Sequence, residues 1–292
     1  MSLINERAAH IAVLDVPLSI FNVAQWQTGE ITNAQDCLAE ETPVALIYNG
    51  VSHAVMLATA QDLEDFALGF SLSEGIINSV SELYSVELKT QTNGIELHCE
   101  IASKCFSQLK ERRRTLAGKT GCGLCGAESL TQAMRYPPIL KVQGKYELGS
   151  ITRSLRGLQM HQALQQKTGA THASAYVSPN GEVALLREDV GRHNALDKLI
   201  GALAKSTIDK KGFIVTTSRA SFEMVQKTAS AGVGMLVAVS APTGLAVRVA
   251  EQCGAMLTRL LAHTRHTPGK APQQPRKQNP ISTPSIGSSQ KP

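Results

Sequence analysis

From Pro43 the pattern of apolar and polar positions becomes readable. Val44-Ala45-Leu46-Ile47-Tyr48 is a short apolar run, Asn49-Gly50 is a type I′ turn signal, and Val51–Leu57 returns as a partner strand. The spacing then changes. Leu63, Phe66, Ala67 and Phe70 recur at helical intervals, which predicts a helix from about Gln61, with Asp62 near its start, to Glu74-Gly75. Val86–Leu88 and Ile95–Cys99, joined through Asn93-Gly94, predict a second hairpin. Residues before Pro43 carry only a weak strand signal around Ile11–Val16. The first part is therefore mixed α+β.

Beyond the Pro137-Pro138 break the order alternates. A helix is predicted over Ser154–Gln166, and Ala173–Val177 and Val183–Leu186 flank Ser178-Pro179-Asn180-Gly181 as a hairpin. Helix Gly191–Gly201, strand Phe213–Thr217, helix Ser221–Gly232, strand Met235–Ser240, helix Gly244–Gly254 and strand Met256–Leu261 follow. Strands alternating with helices of this length imply βαβ units and a mainly parallel sheet with flanking helices, an α/β class. Met224, Met235 and Met256 fall at apolar positions and read as core.

Composition narrows the class. A chain of 292 residues, 42% hydrophobic and 18% charged, can bury a sizeable core and is ordinary for a globular protein. The net charge of +5 invites a nucleic-acid reading, but Arg265, Lys270, Arg276, Lys277 and Lys291 account for all of it. The remainder is near neutral, so a local anion site is expected and no duplex-binding face. Residues 265–292 also hold six of the twelve prolines and few apolar groups, which predicts a disordered tail. No run approaches the ~18 apolar residues of a membrane span, and no basic leader precedes the apolar stretch Ile11–Phe21. Six scattered cysteines fit a reducing cytoplasm.

The densest chemistry is Gly121-Cys122-Gly123-Leu124-Cys125-Gly126, just after the basic run Lys110-Glu111-Arg112-Arg113-Arg114 and Lys119. Nearby cations lower a thiol pKa from about 8.5 toward neutrality, and only the thiolate attacks. Glycines free the backbone for φ > 0. The pair can be read as half of a zinc site, as a redox dithiol, as a sulfur-carrying thiol, or as a buried turn with inert cysteines. A closed zinc site needs four ligands, and Cys37, Cys99, Cys105 and Cys253 supply no second C-x-x-C, so no metal is expected. His98 with Cys99 is a weaker metal candidate.

Three polar turns precede helices. In Glu188-Asp189-Val190-Gly191-Arg192-His193-Asn194-Ala195-Leu196-Asp197-Lys198, Arg192 and His193 open a helix, where backbone N–H groups suit an anion. The alternative is a cap by Asp189 with surface pairing of Arg192 and Asp197. Thr216-Thr217-Ser218-Arg219-Ala220-Ser221 and Ser240-Ala241-Pro242-Thr243-Gly244 occupy equivalent strand ends. Ligands in open α/β sheets bind at such ends, so the turns are expected to line one crevice, with Arg219 as its anion contact. His172 reads as a satisfied histidine at a strand start.

Taken together, PVALIYNG (43–50), LGFSLSEGII (68–77), KERRRTLAGKTGCGLCG (110–126), EDVGRHNALDKLIG (188–201), SRASFEMVQK (218–227) and the 241–253 helix resemble the FdhD family, formate dehydrogenase accessory sulfurtransferases also called sulfur carrier proteins. The resemblance implies an N-terminal extension (1–40), an α+β domain ending in the C-x-x-C loop (41–130), a cytidine deaminase-like α/β domain (131–264) and the tail (265–292). The deaminase zinc signature is absent, which disfavours deaminase chemistry.

The resemblance further implies a relay. A cysteine desulfurase donates persulfide sulfur to Cys122, with Cys125 assisting or resolving, and the sulfur passes to the molybdenum of the bis(molybdopterin guanine dinucleotide) cofactor destined for formate dehydrogenase. A homodimer is also implied. By position, the family's cofactor loop corresponds to Leu260, Leu261, Ala262, His263, Thr264 and Arg265, of which only Arg265 keeps the family's residue type. The competing reading is a delivery chaperone that holds the cofactor without transferring sulfur.

Overall fold

The computed structural model describes residues 16–27, 29–117, 135–140 and 146–259. Strands β1 (Leu18–Gln27) and β2 (Glu30–Ala39) form an antiparallel ribbon in the segment whose sequence gives only a weak strand signal. Its tip pairs Trp26 with Ile31, 74% and 73% exposed. Such exposed alternation lacks the polar-out face that marks a strand in sequence. Of the Ile11–Val16 signal only Val16 is described, and it lies ahead of the ribbon.

A four-stranded sheet, in the order β4-β3-β6-β5, is built from β3 (Thr42–Tyr48), β4 (Val51–Ala58), β5 (Leu83–Gln91) and β6 (Gly94–Ile101). Both predicted hairpins are present. Asn49 and Gly50 turn the first with φ of 46° and 80°, the left-handed pair that a type I′ turn requires. Strand β3 alternates buried and half-buried positions, so one face packs on helix α1 (Leu63–Ser73) through Val44, Leu46, Phe66 and Phe70. Helix α2 (Ser103–Ala117) follows, in a stretch where the sequence reading sees only a basic run. Cys105 and Leu109, four apart, are its buried stripe.

The second sheet runs β11-β10-β9-β7-β8, with β7 (His172–Val177), β8 (Val183–Asp189), β9 (Phe213–Thr216), β10 (Met235–Ala238) and β11 (Met256–Arg259). The β9–β10 and β10–β11 pairs are parallel, and β7 is antiparallel to both β8 and β9. Four of the five strands therefore point the same way. On one face lie α5 (Arg192–Lys205), α6 (Phe222–Ser230) and α7 (Gly244–Cys253). The other face is covered by α3 (Leu148–His161), through Ile151 and Leu158. Strands β9 and β10 are buried along their whole length, as strands covered on both faces must be. Met224 and Met235 are core as predicted, but Met256, on the edge strand, is 47% exposed.

The predicted helix over Ser154–Gln166 is two helices, α3 and α4 (Ala163–Thr168), broken at Gln162. The cause is tertiary. The Glu188 carboxylate accepts the N–H groups of Leu164 and Gln165 at 2.9 and 2.8 Å, and so caps a new helix from another strand.

The two sheets meet through α1 and α5, which cross at glycines. A Cβ on Gly69 would lie 1.7 Å from the Asp197 carbonyl oxygen, and one on Gly201 1.9 Å from that of Asp65. Only Gly permits this approach.

Candidate functional site

The carboxyl ends of β8, β9, β10 and β11 share one edge of the second sheet. Ser174 pairs with Thr216, Thr216 with Ala238, and Ala238 with Arg259. The turns beyond them are bonded side by side: Thr217 N–H to Ala173 O (3.0 Å), Val239 N–H to Thr216 O (3.0 Å) and Thr243 N–H to Ala220 O (3.0 Å). The turns after β9 and β10 are thus bonded to each other along this edge, a rim beside which the turn after β8 also ends.

On this rim Arg192 Nε and Ser221 Oγ are buried and make no hydrogen bond among the described residues. Ser221 is the N-cap residue of α6 but makes no side-chain cap, whereas Thr243 caps α7 by accepting the Ala246 N–H at 3.3 Å. Arg192 sits in the first turn of α5, where helix N–H groups and a guanidinium favour an anion. Burial, and then the Arg192 charge, hold His172 below the usual histidine range. Burial also holds His193 down, against the opposing pull of Glu223, whose Oε2 lies 2.7 Å from His193 Nε2. Arg219 is exposed at the same rim. Beside His172 and Thr217 a cleft of about 560 Å³ opens, lined by Gln159, Gln162, Gln165 and Thr171.

The Glu188–Lys198 stretch divides its labour. Asp189 and Lys198 form a fully buried ion pair at 2.7 Å. Asp189 Oδ1 accepts from Gly191 N (2.7 Å) and Asn194 Nδ2 (3.0 Å). Asp197 is no surface partner of Arg192: it is buried against Lys227, 3.0 Å away, and accepts from Ser73 Oγ at 2.6 Å. Arg192 and His193 alone remain at the rim. His98 and Cys99 are not brought together, since His98 pairs with Glu96 at 2.9 Å while Cys99 is buried in the core. Among the described residues no cluster of His, Cys, Asp and Glu could hold a metal ion, and no helix is long and apolar enough to cross a membrane.

Cys122, Cys125 and the stretch Leu260, Leu261, Ala262, His263, Thr264 and Arg265 lie outside the described residues, as do positions 265–292 and, within 131–150, positions 131–134 and 141–145. On either side of that C-x-x-C stretch the described residues end at 117 and resume at 135. Arg112 donates to the Gly75 carbonyl at 3.0 Å, and Arg135 donates to the Glu74 carbonyl. Both cations meet the C-terminal end of α1, where the last carbonyls of a helix favour positive charge. The ring of Tyr136 stands edge-on to Phe222 at 6.4 Å, next to Ser221 and Glu223 of the rim. Leu140 N–H bonds the Cys253 carbonyl at 2.9 Å. Sequence reasoning missed Ser73, Glu74, Lys198, Lys227 and Arg135. The signal available for Lys198 and Lys227 was a charge set within an otherwise apolar helical stripe.

The sequence matches the model of the FdhD/NarQ family over residues 39–267. The chain belongs to the FdhD/NarQ family. It is 55% identical over 257 residues to a sulfur carrier protein FdhD of Cupriavidus necator, covering 88% of this chain and 89% of that one. It is 54% identical over 223 residues to the sulfur carrier protein FdhD of Bordetella petrii, covering 76% and 80%. The fold is similar to a crystal structure of a candidate formate dehydrogenase accessory protein from Desulfotalea psychrophila. That match has a TM-score of 0.65 at 21% identity and covers 83% of this chain and 92% of that one. The FdhD resemblance read from the motifs is thus the family that residues 39–267 show.

Proposed function

We propose that this protein is a sulfur carrier that accepts sulfur on Cys122 and delivers it to a molybdenum cofactor for formate dehydrogenase. The observation that carries this reading is the tie between the C-x-x-C flanks and the anion-suited rim: Arg135 is fixed at the end of α1, and Tyr136, its neighbour, stands against Phe222 beside Ser221. The name borne by the FdhD relatives supports sulfur transfer in general.

In the first step the Cys122 thiolate attacks the terminal sulfur of a cysteine desulfurase persulfide. The donor's S–S bond breaks, the donor leaves as a thiolate, and a persulfide forms on Cys122 with no net change of oxidation state. Attack by the Cys125 thiolate on the Cys122 sulfur then releases hydrosulfide for the metal and leaves a Cys122–Cys125 disulfide, which a cellular dithiol must reduce. The cargo, a bis(molybdopterin guanine dinucleotide) cofactor, carries several phosphates that suit Arg192, Arg219 and the helix N-termini of the rim, with Leu260 to Arg265 as further contacts beyond Arg259. Two copies of the chain act together as a homodimer in the cytoplasm.

Intact-protein mass spectrometry with peptide mapping, after incubation with a cysteine desulfurase and cysteine, tests the relay. A reducible one-sulfur adduct on Cys122, lost in Cys122→Ala, is expected. Both thiols remaining free beside an active desulfurase would overturn it in favour of a cofactor-delivery chaperone.

A further inference from the structure

The ribbon of β1 and β2 is a two-stranded sheet by itself, and such a hairpin is marginal in water unless it packs against something. One of its faces does. Phe21, Val23 and Ala34 share that face and are half-buried, and β2 lies against α4. The other face takes every second residue of β1 from Leu18 to Trp26 and of β2 from Ile31 to Ala39. It carries no Asp, Glu, Lys, Arg or His, because both acids of the ribbon, Glu30 and Asp36, fall on the packed side. Yet Ile20 is 65% exposed there, Trp26 74% and Ile31 73%. An exposed apolar patch of this kind marks an interaction site.

The bulk along this face is arranged symmetrically. Trp26 stands opposite Ile31 at the tip, and Ile20 stands opposite Cys37 nearer the base. Between them lie the small Ala24 and the carboxamides of Asn22, Asn33 and Gln35. A two-fold axis between Asn22 and Ala24 therefore lays the Trp26–Ile31 pair of one copy on the Ile20–Cys37 pair of the other, and the reverse. Amides then meet amides, which both donate and accept. The three exposed side chains offer roughly 400 Å² of apolar surface per copy. Two copies bury about 800 Å² from them alone, and the residues between carry the contact past the about 1,000 Å² that a specific interface needs.

Deepening the sulfur-carrier reading, on whose homodimer it rests, we infer that two copies of this chain join by stacking these uncharged ribbon faces across a two-fold axis, with Trp26 of each copy seated on Ile20 of the other. A strongly charged partner finds no counter-charge on this face, whereas a second copy meets no like-charge repulsion there.

Trp26 is the chain's single tryptophan, so its fluorescence reports its own burial. The full-length protein is followed by sedimentation velocity and by acrylamide quenching between about 0.1 and about 100 µM. The expected species is a dimer whose Trp26 is quenched at least about twofold less than in the dilute monomer, because an interface core excludes water. Trp26→Ser and Ile20→Ser each raise the dimer Kd at least about tenfold, although they act at opposite ends of the face. Gln25→Ser, at an exposed position on the other face, leaves it unchanged. Ala24→Asp and Ala24→Lys are each monomeric alone and dimerise when mixed, a rescue that misfolding cannot give.

A dimer that keeps its wild-type Kd in Trp26→Ser and Ile20→Ser, or whose Trp26 is quenched as in the monomer, overturns the ribbon contact and leaves the homodimer standing. A wild type still monomeric at about 100 µM overturns both. If the serine variants do not fold, quenching of the wild type decides alone. Sulfur loading of Cys122 is measured separately, so its failure rejects the sulfur-carrier reading without touching the ribbon contact.

Discussion

Lys198 Nζ lies 2.7 Å from Asp189 Oδ2, and neither side chain has any exposed surface. The same ammonium donates to the carbonyl of Thr59 at 2.9 Å, while the Thr59 N–H donates to Asp189 Oδ2 at 2.9 Å. Asn194 adds a bond to the Leu57 carbonyl at 2.7 Å. The end of β4 and the chain after it, in the first sheet, are thus clamped to the end of β8 and to α5, in the second.

Removing one member of a buried pair leaves an uncompensated charge, at a cost of about 3–5 kcal/mol. Lys198→Met is therefore expected to destabilise the protein by that order, read as a fall in urea midpoint. The double variant Lys198→Met with Asp189→Leu should recover part of it. A single variant as stable as wild type would remove the clamp from the account.

The α1–α5 crossing sets a second expectation. Gly69→Ala and Gly201→Ala each place a methyl within 2 Å of a carbonyl oxygen on the other helix. Overpacking of this kind costs about 1–3 kcal/mol or more, so both should lower Tm, whereas Gly149→Ala, with open space around it, should not. Equal melting of all three would contradict the close approach.

Acid should weaken the fold through the rim histidines. Burial and Arg192 hold His172 below its unfolded value, and burial holds His193 down as well. An unfolded histidine titrates near about 6.5. Below that value the unfolded chain binds more protons than the folded one, so stability falls as pH drops through it and is flat with respect to these groups above it. Urea midpoints between about pH 8 and about pH 5 check this: the slope should be shallower in His172→Gln. A parallel pair of curves would show that His172 does not contribute.

At the rim, the buried and unbonded Nε of Arg192 marks it as a stronger anion contact than the exposed Arg219. A hydrogen bond to a charged group is worth about 1.5–3 kcal/mol, so Arg192→Ala should weaken binding of a guanine nucleotide about tenfold to hundredfold. Arg219→Ala should weaken it less. Isothermal titration with guanosine diphosphate measures both, and the reverse order would move the anion site outward to Arg219.

Much of this was legible in the chain itself. Asn49-Gly50 and Asn93-Gly94 announce their hairpins because few other residues accept such turns, and the alternation after His172 foretells the α/β layer. The six stretches from PVALIYNG (43–50) to the 241–253 helix, the C-x-x-C loop among them, carry the family resemblance by themselves. What the sequence could not carry was partnership at a distance. The break at Gln162 depends on Glu188, the burial of Asp197 on Lys227 and Ser73, and the tie of Arg112 and Arg135 on the end of α1. Local periodicity records which face of an element is apolar; it does not record which charge, dozens of residues away, will meet a given acceptor. Only folding decides that, because an ion taken out of water must find its partner wherever the topology brings one.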